Sequence, residues 1–196
     1  MKRIFDIVCS GLGLMLLSPL FIVLAIWIKL DSKGPVFYKQ IRAGRHNKDF
    51  TLYKFRSMRM GSDKKGLITI GGRDPRVTKS GYYIRKYKLD ELPQLINVFL
   101  GEMSLVGPRP EVRHYVNLYN DEQLIVLSIR PGITDMASIR YKNENELLES
   151  VDNPEQYYRD VIMQDKLRIN IEYIENASLW FDFKLILSTL KEIVKR

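Results

Sequence analysis

Between Ile7 and Ile28 the chain carries 22 consecutive residues without a charge, enough for a helix to cross a bilayer. Ser18-Pro19 falls near the middle of this run, where proline removes an intrahelical hydrogen bond and kinks or breaks the helix. Lys2 and Arg3 precede the run, and Lys29, Lys33, Lys39, Arg42 and Arg45 follow it closely. The positive-inside rule therefore places both ends on the cytoplasmic side, which a straight span does not allow. A signal peptide fits poorly, because Ala25-Ile26-Trp27 offers no small-x-small cleavage site and the apolar run is too long. The expectation is a re-entrant membrane helix over residues 1–30, broken at Ser18-Pro19, that enters and leaves through one leaflet.

The remaining 31–196 read as one compact domain, since a chain of 196 residues is too short for two comfortable ones. A single cysteine, Cys9, excludes a disulfide scaffold and a Cys-based zinc site. His46 and His114 stand far apart without ligand spacing. The net charge of +8 is unevenly placed. Residues 33–88 hold 16 Lys/Arg against 3 acids, whereas 89–196 hold 12 against 18. A basic block followed by an acidic one suits a surface that faces phosphates or anionic lipid, or simply a solvated basic face.

The pattern predicts an α+β domain, predominantly α. Val36-Phe37-Tyr38 and Phe50-Thr51-Leu52-Tyr53 flank a polar stretch and read as a short β-hairpin with a long loop. Five glycines among residues 60–81, at 61, 66, 71, 72 and 81, mark a loop. Helices are expected over Asp90–Leu100 (stopped by Gly101), Glu111–Ser128, Pro154–Ile174 and Ser178–Lys195. Arg130-Pro131-Gly132-Ile133-Thr134 reads as a turn, and the two prolines of Val106-Gly107-Pro108-Arg109-Pro110 forbid helix there. In the last helix Leu179, Phe183, Ile186, Leu187, Leu190 and Val194 share one face, with Lys184, Lys191, Lys195 and Arg196 around the other side. That suits an amphipathic helix lying on a bilayer, although a helix packed on a soluble core has the same pattern.

Several chemistries drop out. Gly61 to Gly66 has P-loop spacing, but Leu67 and Ile68 stand where Lys and Ser/Thr are required. There is no Gly-x-Ser-x-Gly elbow and no Asp-x-Asp pair. What remains is Leu89-Asp90-Glu91-Leu92-Pro93. Pro93 is tolerable in a first helical turn, which places Asp90 at or beside an N-cap, where free N–H groups favour a carboxylate or a bound phosphate. Adjacent carboxylates also suit Mg²⁺, which takes one or two protein oxygens plus substrate phosphates. Arg85, Lys86 and Lys88 precede the pair, and Arg109 and Arg130 each sit in a proline-held turn, as bidentate phosphate recognition requires.

These residues carry a resemblance. Lys2-Arg3-Ile4-Phe5-Asp6, Ser18-Pro19, Gly34-Pro35-Val36-Phe37, Tyr53-Lys54-Phe55-Arg56-Ser57-Met58, the run from Leu89 to Val98, that from Gly101 to Pro110, and Arg130 to Thr134 together resemble the small monotopic phosphoglycosyl transferases of the bacterial sugar transferase family. The match covers nearly the whole chain, and residues 89–110 are its most specific part.

The resemblance implies transfer of a phospho-sugar from a UDP-sugar to undecaprenyl phosphate, with release of UMP, as a first membrane step in glycan assembly. It implies a monotopic enzyme on the cytoplasmic face of the bacterial inner membrane, with no nucleic-acid partner. Asp90 would be the nucleophile and Glu91 its partner, the two also holding Mg²⁺. Lys54, Arg56, Arg85, Arg109, Arg130, Pro131, Gly132 and Thr134 would hold substrate. Ser18-Pro19 would break the re-entrant helix. One departure stands out: Asp135-Met136-Ala137-Ser138 replaces the Gly-Trp-Ala-Gln of many members, so their sugar preference does not carry over.

Two rivals belong to other classes. A non-catalytic peripheral membrane-binding module accounts for the basic block but not for the 89–110 motifs. A nucleic-acid binder accounts for a pI near 9.5 but not for the anchor.

Overall fold

The computed structural model describes residues 1–62 and 74–194, with side chains to Glu192. The chain opens with helix α1, Lys2–Asp31. A hairpin of β1 (Phe37–Ala43) and β2 (Asp49–Phe55) follows, in register from Phe37 opposite Phe55 to Ala43 opposite Asp49. The strands run further into the polar stretch than expected, leaving a turn in which His46 and Asn47 both have positive φ. Helix α2 (Lys79–Lys86) is capped by the Thr78 side chain, which accepts from the Gly81 N–H.

Glycines 66, 71 and 72 of the expected loop lie outside the described residues, as do Lys195, Arg196 and the Val194 side chain. Next come α3 (Gln94–Leu100), β3 (Ser104–Val106), α4 (Arg113–Val116) and β4 (Gly132–Thr134). Helices α5 (Met136–Arg140), α6 (Glu144–Glu149), α7 (Pro154–Tyr157), α8 (Met163–Glu175) and α9 (Leu179–Val194) complete the domain.

Several expectations change, among them the helix foreseen over Asp90–Leu100, which begins only at Gln94 after a separate 3₁₀ turn at Leu89–Glu91. The helix foreseen over Glu111–Ser128 is two short pieces, α4 and a 3₁₀ stretch at Gln123–Ser128. That over Pro154–Ile174 is interrupted by a wider turn at Tyr158–Ile162. The turn at Arg130–Thr134 contains β4, which pairs in parallel with β3. Gly107 and Gly132 make that pairing possible: a Cβ on Gly132 would stand 2.1 Å from the Gly107 nitrogen.

Helix α1 is continuous through Ser18-Pro19 rather than interrupted there. Proline leaves the Met15 carbonyl without its usual i+4 donor, and the Ser18 hydroxyl donates to that carbonyl at 2.8 Å. The pair thus repairs the gap it creates. Both ends of α1 pack on the same globular body. At the start, Lys2 Nζ donates to Asp182 at 2.6 Å, to the Tyr173 hydroxyl and to the Val106 carbonyl. Arg3 donates to the Val98 and Phe99 carbonyls at the end of α3, and Asp6 accepts from Ser104 and Leu105.

At the far end, Leu24 and Ile28 enter a core with Phe55 and Ile84, and Asp31 accepts from both Ser80 donors. Arg56 closes the C-terminus of α1 through the Ile28, Ser32 and Lys33 carbonyls. The remaining face is apolar and exposed, including Val8, Leu12, Met15, Leu16, Ile22, Val23 and Ile26.

Helix α9 is apolar on two sides. Asp182, Leu185, Ile186 and Thr189 face inward, which moves Ile186 off the expected outer stripe. Trp180, Phe183, Leu187 and Leu190 stay exposed, one helical face with no covering within the described residues.

Candidate active site

One cavity of about 1010 Å³ opens between the hairpin, α2, the turn after it and helices α5, α8 and α9. Sequence separation brings its walls together only through the fold. Lys54 comes from β2, Arg85 from α2, Asp90 and Glu91 from a 3₁₀ turn at Leu89–Glu91, Arg109 from the segment after β3, and Thr134 from β4. Lys88, just before the pair, takes a left-handed backbone with φ 57°, a conformation that costs on the order of 1 kcal/mol or more for a non-glycine residue. It turns the chain sharply from α2 into the carboxylate pair.

Asp90 is not a cap. It precedes α3 by a full turn, and its Oδ1 is buried with no donor among the described residues. Glu91 is the held member of the pair. Arg109 grips both its oxygens, Nη1 reaching Oε2 at 3.2 Å and Nη2 reaching Oε1, and Lys54 lies 3.4 Å from Oε1. Burial pushes the Asp90 carboxyl up, and the Glu91 charge beside it adds to the effect, against Lys54, Arg85 and Lys88. Burial pushes Glu91 the same way, but Arg109 and Lys54 overcome it and hold the group well below the usual range. Two adjacent carboxyls are thereby split into a fixed anion and a more basic, unengaged neighbour. Burial also lowers Lys54 to about 8, and Glu91 raises Arg109.

Among the described residues no three His, Cys, Asp or Glu side chains converge. A divalent cation shared with substrate phosphates needs only one or two carboxylates, and the orphaned Asp90 Oδ1 beside Glu91 fits that donor set.

The other expected site residues lie elsewhere. Arg56 lines the cavity but commits donors to the α1 carbonyls. Arg130 donates through Nε to the Gly101 carbonyl at 2.8 Å and is not on the cavity wall. Nor are Pro131 and Gly132: Pro131 accepts from the Ser104 N–H and Gly132 donates to the Pro108 carbonyl, so this pair braces the segment that presents Arg109. Sequence reasoning missed Arg42, which donates to the Pro110 carbonyl at 3.0 Å and to Glu111 at 3.3 Å, with Tyr158 on the other Glu111 oxygen. The only hint was the acid directly after Pro108-Arg109-Pro110.

Residues 1–196 match a family profile described as Bacterial sugar transferase. An Aeromonas hydrophila UDP-N-acetylgalactosamine-undecaprenyl-phosphate N-acetylgalactosaminephosphotransferase is 39% identical over 98% of this chain and 43% of its own length. An Escherichia coli UDP-glucose:undecaprenyl-phosphate glucose-1-phosphate transferase is 37% identical over 97% of this chain and 39% of its own. An uncharacterized sugar transferase of Bacillus subtilis, EpsL, is 35% identical over 99% of this chain and 87% of its own. The chain belongs to the bacterial sugar transferase family. It spans about two fifths of the length of the first two relatives.

Proposed function

We propose that this chain transfers a sugar 1-phosphate from a UDP-sugar to undecaprenyl phosphate through a covalent intermediate on Asp90. The observation that carries the reading is the split pair: Glu91 clamped by Arg109 and Lys54, and Asp90 buried on the wall of a large cavity with an oxygen that meets no donor among the described residues. The relatives' names, which carry undecaprenyl phosphate with UDP-linked sugars, support the substrate classes.

In this reading an Asp90 oxygen attacks the β-phosphorus, the bond to the α-phosphate oxygen breaks, and UMP leaves. An oxygen of undecaprenyl phosphate then attacks the same phosphorus, which frees Asp90 and forms the diphosphate product. Splitting one transfer in two is the usual gain of a carboxylate nucleophile. Arg109, Lys54 and Arg85 offset charge on the diphosphate. Asp90 and Glu91 would hold Mg²⁺, which when bound supplies further charge neutralisation on the phosphates.

The lipid acceptor fits a cavity that Ile186 and Leu190 of α9 help to line, beside the exposed apolar face of that helix. Both ends of α1 contacting one body supports a monotopic arrangement at the cytoplasmic face, with the unbroken helix held along the domain rather than spanning away from it.

The test is UMP release from UDP-sugars without acceptor. A burst approaching one UMP per active enzyme, with phospho-sugar mass on the Asp90 peptide and no burst in Asp90→Asn, is expected. Direct attack by the lipid phosphate predicts no UMP without acceptor, and that result would remove the nucleophile role.

A further inference from the structure

The cavity wall opposite the hairpin has a different chemistry from the phosphate-facing one. It is built by the end of β4 and by α5, α8 and α9, and presents Thr134, Ser138, Asn170 and Thr189. Its lysines are engaged: Lys166 pairs with Glu144, and Lys142 with Glu192 at 2.8 Å. Such a wall, poor in uncommitted cations and rich in hydroxyl and amide groups, suits a neutral polyol better than a diphosphate. Asn170 is the anomaly on it. Its side chain lines the cavity, the residue is only 6% exposed, and its Oδ1 meets no donor among the described residues.

A buried amide oxygen without a partner is destabilising, so packing gives no reason for it. An incoming ligand with a hydroxyl or N–H does. Asn170 supplies both an acceptor and donors, the set that reads a sugar substituent.

Its position relative to the reacting centre is consistent. Arg109, which grips Glu91, also feels the charge of Asp135, and Asp135 caps α5 by accepting from the Ser138 N–H and hydroxyl. The α5 wall therefore begins where the carboxylate pair's arginine ends. A donor whose β-phosphorus sits at Asp90, with its nucleotide along the cationic hairpin and α2 side, directs its sugar toward α5, α8 and α9.

We propose that Asn170 is a specificity-determining residue that hydrogen-bonds a ring hydroxyl or acetamido group of the donor sugar. This rests on the transfer reading above. The experiment compares kcat/KM for UDP-glucose, UDP-galactose and their N-acetyl counterparts in the full chain and in Asn170→Leu, together with inhibition by UMP and the thermal midpoint. Losing one hydrogen bond to an uncharged partner should reduce preference for the best donor over its nearest competitor about tenfold. UMP inhibition should stay within twofold, and the midpoint should hold or rise, because the orphaned oxygen is gone.

Asn170→Ala repeats the measurement without added bulk. Unchanged donor ratios in an active protein overturn the proposal alone, as does a parallel loss of UMP inhibition. Failure of both variants to fold overturns it too, by making Asn170 a structural residue. A wild-type protein that turns over none of the four donors overturns the transfer reading itself.

Discussion

Lys54 makes the carboxylate pair testable by pH. It is buried on β2 within 3.4 Å of Glu91, and burial, opposed by Glu91 and assisted by Arg109, lowers it to about 8. If its ammonium helps hold Glu91 and offsets diphosphate charge, kcat/KM for the donor should fall along an alkaline limb near pH 8, since that ratio reports the free enzyme. One pH unit above the pKa about one lysine in eleven keeps its proton. The rate should therefore drop roughly tenfold between pH 7 and pH 9.

Lys54→Arg keeps a cation that does not titrate in this range and should carry the limb out of it. Lys54→Gln should be slow at every pH. Stability moves the other way. An unfolded lysine titrates near 10.4, so the folded state disfavours the charge. That penalty, on the order of 3 kcal/mol, is fully present below about pH 8 and disappears as pH rises through the unfolded value. Denaturant titrations across this window should show wild type gaining stability relative to Lys54→Gln while its activity falls. An activity limb that stays at the same pH in Lys54→Arg would refute the reasoning.

Arg109→Lys and Arg85→Lys should each lower kcat/KM at least about tenfold, because an ammonium cannot make the planar two-point contact a guanidinium makes; wild-type turnover in both would exclude phosphate contacts of that kind. In a Cys9→Ser background, Lys2→Cys and Lys33→Cys should label from the same side of sealed vesicles, since Arg3 and Asp6 at one end of α1 and Arg56 at the other hold it to one body. Labelling of wild-type ends from opposite sides would end the monotopic reading. Gly132→Ala should separate β3 from β4, its Cβ meeting the Gly107 backbone at 2.1 Å, and cost roughly 3 kcal/mol or more. A thermal midpoint within a few degrees of wild type would show that the strand pair is not needed.

Local pattern accounts for much of the molecule. The long apolar run, the hairpin, the stop at Gly101 (φ 94°) and the last helix are all written in neighbouring residues, because hydrophobic period and backbone preference act over a few positions. The same holds for the adjacency of Asp90 and Glu91, two carboxylates within one contiguous motif.

What contiguity cannot encode is which side chains meet across the fold. Arg56 and Arg130 stand in basic, motif-bearing segments like Arg109, yet one closes the end of α1 and the other the carbonyl of Gly101. Of these three arginines it is Arg109 that reaches Glu91, because β3 and β4 pair and bring its proline-flanked segment against the carboxylates. The split of the two carboxyls follows from that contact and from burial, neither of which a sequence states. The same is true of Asn170: in the chain it is one polar residue on an amphipathic helix, and only the packing of α8 beside α5 and α9 leaves its oxygen facing a cavity with no partner among the described residues. Local propensity chose the elements; the long-range pairing of short strands and helix faces decided which charges meet.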